Sequence, residues 1–216
     1  DFDTRAGQNV IFFDNITCGD GSGGGSGGGA TIAVTVDFEE DAAEYDFGPD
    51  AGFGGGVSTV IANPDMSGIN TTAQVAQMQK FAGAVFGGST LALDTAIDFG
   101  AGEAFTVKVW SAREVPVLYK LEGLDRERSV THPGGSEWQE LCFDFTGDTT
   151  GPASSAVTFI FDLGVNGDAD NNATDWTFYY DEITQVASCP GGGTSALPML
   201  DFESSAGGTG FTWTVF

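Results

Sequence analysis

The chain has 216 residues, 33 of them glycine, and sets 7 Lys+Arg against 31 Asp+Glu for a formal charge of −24. Phosphate binding needs clustered cations, so this balance argues against nucleic acid or an anionic membrane as partner. No apolar run approaches the roughly 18 residues of a membrane span. The acids leave three readings open: solvated carboxylates suited to a saline habitat, divalent-cation binding, or solubility.

The chain opens in mid-pattern, with any leader segment expected to lie before it. Residues 10–18 read VIFFDNITC and residues 177–189 read TFYYDEITQVASC; a glycine tract follows each. VDFEE at 36–40 and LDFES at 200–204 come next. Asp14 and Asp181 stand 167 residues apart, while Glu39 and Glu203, and Phe47 and Phe211, stand 164 apart. Landmarks sharing one spacing predict a tandem repeat of about 165 residues with flanking half-repeats. The expected organisation is a last strand of a preceding repeat at 1–18 and a linker at 19–29. A complete repeat at 30–189 follows, then a linker at 190–196 and the start of the next repeat at 197–216.

Within the complete repeat, short aromatic and β-branched runs separated by Gly, Asn, Asp and Pro predict strands. They fall at 31–38, 57–62, 73–80, 90–94, 104–110, 116–122, 137–145, 156–162 and 176–184. In 104–110, Phe105, Val107 and Val109 share one face, and Thr106, Lys108 and Trp110 the other. In 117–122, Val117, Tyr119 and Leu121 oppose Leu118, Lys120 and Glu122. About nine strands without a helical period predict an all-β, two-sheet sandwich of jelly-roll type. Cys142 and Cys189 both lie inside the complete repeat and are expected to pair, leaving Cys18 as the twin of Cys189; three free thiols are the alternative.

The ordered series VDFE, STVIANPDMSGINTTAQVAQ, FAGAVFGG, LALDTAIDFG, FTVKVWS, VPVLYKLEG, EWQELCFDFTG, IFDLGVNGD and WTFYYDEI resembles a carbohydrate-binding-module-type jelly roll. The resemblance implies a non-catalytic, lectin-like module of a secreted or cell-surface multimodular protein, with a polysaccharide or cell-surface glycan as partner. It also implies a structural Ca²⁺, shared by an acid just after the first strand and an Asp in the last; Asp37, Glu39 and Asp181 take those positions. Six to eight oxygens suit such an ion. A second acidic loop, 166–175, spaces Asp168, Asp170 and Asn172 alternately but lacks the Gly and distal Glu of an EF-hand loop, so a polar hairpin loop is the competing reading.

Sugar binding requires exposed aromatic faces beside polar groups. Trp110 and Lys108 share a polar strand face, and Lys120 and Glu122 would line it if 116–122 is the neighbouring strand. Gln77 and Gln79 form another polar stripe, and Tyr45, Phe53 and Phe86 are loop aromatics available for a rim. Trp138 and Trp176 are expected to be packing residues. The single histidine, His132, has no nucleophile motif nearby, which argues against an enzyme. N-x-T sequons stand at Asn15, Asn70 and Asn172. The alternative function is structural: a repeat of an extracellular filament or giant adhesin, held together by contacts with neighbouring repeats or copies of itself.

Overall fold

A computed structural model describes residues 35–169 and 171–190. Alternating apolar residues need two partners, one sheet for each buried face, and the chain supplies them in two antiparallel sheets. The first contains β1 (Thr35–Val36), β2 (Gly56–Ala62), β3 (Gln74–Lys80), β5 (Ala104–Ser111), β8 (Glu137–Asp144) and β10 (Thr177–Val186). Its order is β2-β3-β10-β5-β8, with β1 also paired to β10. The second contains β4 (Ser89–Ala92), β6 (Val115–Leu121), β7 (Arg126–His132) and β9 (Ala156–Phe161), in the order β4-β9-β6-β7. This is a β-sandwich of jelly-roll type, as the strand pattern implied. The half-repeats at 1–18 and 197–216, the linker at 19–29 and the linker beyond Pro190 lie outside the described residues.

β7 is the strand the pattern did not predict. Its sequence, RERSVTH, alternates half-buried and exposed positions, but arginines stand where apolar residues would mark the inner face. β7 is an edge strand, so the stems of those arginines lie along the sheet while their heads reach out. Arg128 places its guanidinium 4.7 Å from the Phe145 ring centre, and both Arg126 and Arg128 bond the carboxylate of Asp148.

The core lies between the sheets and is rich in rings. Phe105, Phe143, Phe159 and Tyr119 pack together, and Tyr180 joins Phe38, Phe159 and Phe161. Each such side chain, fully buried, contributes about 2–3 kcal/mol. The core rows fix which residues face outward. Met78, Phe178, Val109 and Leu141 point inward, so the residues alternating with them point away from the core. Cys142 and Cys189 form a disulfide across 47 residues, tying the chain just past β10 to β8.

Candidate functional site

The outward face of the larger sheet carries a row that crosses five strands. Thr59 pairs with Gln77, Gln77 with Tyr179, Tyr179 with Trp110, and Trp110 with Trp138. Side chains directly opposite on adjacent strands lie roughly 5 Å apart, so the row is a continuous strip. Trp110 and Tyr179 are half-buried, their ring centres 5.2 Å apart at 56°. Trp138 is only 5% exposed and lies outside the main core cluster. Gln77 and Gln79 stand on β3 beside the rings, both half-buried. The strip is therefore two accessible aromatic rings flanked by amides and hydroxyls. Tyr179 was not anticipated, although the alternation of TFYYDEIT was enough to place it opposite Phe178 and Tyr180.

The next row descends from Asp181 to Lys108 and Glu140. β10 has a bulge here, where its register against β5 shifts between Asp181 and Thr184, and Glu182 takes φ 44°. A bulge inserts one extra residue, which lets two consecutive acids avoid the core. Glu182 meets Lys108 at 2.6 Å. Asp181 lies under the loop 63–73, whose Asn70 and Thr72 reach it, and is completely buried.

Three donors hold the Asp181 carboxylate. Asn70 Nδ2 and Thr72 Oγ1 donate to Oδ2 at 2.9 and 2.5 Å, and the Glu182 N–H donates to Oδ1 at 2.7 Å. Burial pushes its pKa up to about 6, against the opposing pull of these hydrogen bonds. Asn70 is fully buried, so its sequon is closed in the folded chain. Farther along the same loop, Asp65 receives the Trp110 indole N–H on Oδ2 at 3.0 Å and the Trp138 indole N–H on its backbone oxygen at 2.7 Å.

The expected metal ligands do not converge. Asp37 accepts the Glu39 N–H, Glu39 accepts the Gln74 N–H at 2.8 Å, and Asp181 is occupied as described. Asp168 accepts the Asn172 N–H at 2.6 Å, and Asp170 lies outside the described residues. Among the described residues, no three His, Cys, Asp or Glu side chains gather around a metal-sized point. These acids cap backbone amides and anchor loops.

Lys120 and Glu122 are not neighbours of Trp110. β6 belongs to the smaller sheet, between β9 and β7, because its apolar face is needed to close the opposite side of the core. There Lys120 pairs with Glu122 at 3.3 Å and Asp125 at 2.9 Å, and Glu122 accepts the Thr158 hydroxyl. Tyr45 packs on Phe38 at 5.0 Å. Phe86 is 53% exposed and belongs to a set of exposed apolar loop residues with Phe53, Phe81, Val85, Leu163 and Val165. Trp176 packs against the core and carries Arg113 on its ring at 4.5 Å.

His132 is fully buried, with Nε2 against the Val109 carbonyl and Nδ1 accepting the Gly134 N–H. Burial pushes its pKa down. One ring nitrogen thus serves the turn after β7 and the other the backbone of β5.

What fold and face define together is a two-sheet β-sandwich whose outer surface presents rings and amides. No known family pattern matches the chain, and no curated protein matches it. Among solved structures it is similar to carbohydrate-binding modules. One is a family 11 module from Clostridium thermocellum bound to a β-1,3-1,4-mixed-linked tetrasaccharide, with 12% identity, 74% of this chain and 98% of that one covered, and a TM-score of 0.45. Another is a family 22 xylan-binding domain from Paenibacillus barcinonensis, with 12% identity, coverage of 72% and 99%, and a TM-score of 0.43. A third is a family 29 module carrying a lysine-to-alanine substitution, with 14% identity, coverage of 73% and 91%, and a TM-score of 0.43.

Proposed function

We propose that the chain is a non-catalytic module that binds an uncharged polysaccharide on the outward face of its larger sheet. The row Thr59–Gln77–Tyr179–Trp110 carries the reading. A pyranose offers a C–H face and a belt of hydroxyls; the two rings suit the first, and Gln77, Gln79 and Thr59 suit the second. The charge of the ligand follows from the same face. Its lysine, Lys108, is already paired with Glu182, and the chain as a whole is strongly acidic, so uronates and sulfates would be repelled. The Cys142–Cys189 bond supports an oxidising, extracellular setting.

Native affinity electrophoresis of the 216-residue chain tests this. Gels containing hydroxyethylcellulose, mixed-linkage β-glucan, xylan or galactomannan are compared with gels containing alginate. Retardation by at least one neutral polymer, lost in Trp110→Ala and absent with alginate, is the expected result. Passage through every neutral gel, or retardation that Trp110→Ala leaves unchanged, overturns the proposal.

A further inference from the structure

Trp110 stands on an outer sheet face, where nothing in the strand itself fixes the orientation of its ring. The loop between β2 and β3 supplies that constraint from outside the sheet. Asn63 begins it by accepting the Asp65 N–H on its side chain at 2.9 Å and by donating to the Thr72 carbonyl at 3.0 Å, which closes the base of the loop. The far limb is anchored at Asp181 through Asn70 and Thr72. Between the two anchors, Asp65 reaches the aromatic strip with all of its acceptors engaged. Oδ2 takes the Trp110 indole, Oδ1 takes the Ser67 hydroxyl at 2.6 Å, and the carbonyl takes the Trp138 indole.

We infer that Asp65 is the positioning residue of the platform: it holds the Trp110 ring at the tilt that a sugar meets. The inference rests on the platform reading given above. An indole has one N–H donor, and binding it to an ionised acceptor excludes the flipped ring. The ring is then ordered before the ligand arrives, and binding is spared the cost of immobilising it. The same bond removes the indole N–H from recognition, so the ligand is read by the ring face and by the amides of Gln77 and Gln79. The carboxylate also sets negative charge at the ring edge, which reinforces the exclusion of anionic polymers.

The test compares Asp65→Ala and Asp65→Asn in the full chain, using whichever neutral polysaccharide retards the wild type. Asp65→Ala is expected to weaken binding roughly 3- to 10-fold, while Asp65→Asn, whose amide oxygen still accepts the indole N–H, stays near wild type. In the ligand-free chain, the indole N–H resonance assigned to Trp110 is expected to exchange faster in Asp65→Ala, and that of Trp138 to keep its protection. If Asp65→Ala does not fold, Asp65→Glu displaces the carboxylate by one methylene and must show the same loss. Wild-type affinity or unchanged Trp110 exchange in the displaced variant, with Trp110→Ala still failing to bind, overturns the positioning role and leaves the platform standing. Undiminished binding by Trp110→Ala overturns the platform itself, and the inference with it.

Discussion

Asp181 provides the sharpest test of how the outer face is built. It is a fully buried carboxylate whose pKa lies at about 6, against an ordinary value of 3.8, because burial penalises its charge more than three hydrogen bonds favour it. The folded chain thus holds this proton more tightly than the unfolded chain does. Between pH 3.8 and about 6 the native state binds more protons, so the contribution of Asp181 is fully present below pH 3.8 and is lost as pH rises through 6. The difference in pKa corresponds to about 3 kcal/mol across that window. Other carboxylates run the opposite way. Hydrogen bonds from Arg126 and Arg128 hold Asp148 low, and Thr146 does the same for Asp144. The raw pH profile therefore mixes both signs.

Asp181→Asn separates them. The amide cannot titrate, and its NH₂ group meets the Glu182 N–H where Oδ1 had accepted it, at a pH-independent cost of about 1–3 kcal/mol. Urea unfolding followed by tryptophan fluorescence from about pH 3.5 to 7.5 gives a stability for each protein, and every other titration cancels in their difference. The margin of wild type over Asp181→Asn is expected to shrink by about 3 kcal/mol as pH rises from about 4 to 7. A flat difference, or a margin that grows with pH, would falsify the account: the hydrogen bonds would then outweigh desolvation, and the loop would rest on a stable anion.

Three further outcomes follow from the contacts. Lys80 is 1% exposed and donates to the carbonyls of Val85, Phe161 and Asp162, so Lys80→Met should destabilise the chain by about 1–3 kcal/mol, read from its urea midpoint. Lys120→Met removes two partly exposed pairs and should cost under about 1 kcal/mol; equal effects of Lys80→Met and Lys120→Met would refute the distinction. Reduction of Cys142–Cys189 should cost about 4 kcal/mol for a 47-residue loop, read as a lower urea midpoint in dithiothreitol. An unchanged midpoint would mean that the bond constrains nothing that unfolds.

The sandwich was legible because strand alternation is a local signal with a core behind it. Phe105, Val107 and Val109 announce an inner face, and Trp110 and Lys108 an outer one, before any partner strand is known. Which outer face a strand contributes to is another matter. β5 and β6 are consecutive, joined by a short turn, and each alternates cleanly, yet they lie in different sheets. Their periodicity is the same for a hairpin and for a crossover, so the sequence leaves open whether β6 neighbours β5, and with it whether Lys120 lies beside Trp110; the structure puts Lys120 on the other sheet. Acid roles were illegible for a related reason. A carboxylate that caps amides and one that ligates Ca²⁺ carry the same residue letter, so the sequence alone could not show that Asp37, Glu39 and Asp181 accept the hydrogen bonds they do.

The bulge at Asp181 joins these threads. Strict alternation through YYDEIT would send Asp181 outward and Glu182 into the core, where an ionised side chain would cost several kcal/mol without a partner. The extra residue turns Glu182 out to Lys108 at the expense of one left-handed backbone position, on the order of 1 kcal/mol. It also resets the strand so that Ile183 returns to the core. Both acids are then available on one face, one as the root of the 63–73 loop and one as the partner of its lysine. The loop in turn brings Asp65 to the indoles. A single inserted residue in β10 thereby links the last strand of the sandwich to the orientation of the ring on its outer surface.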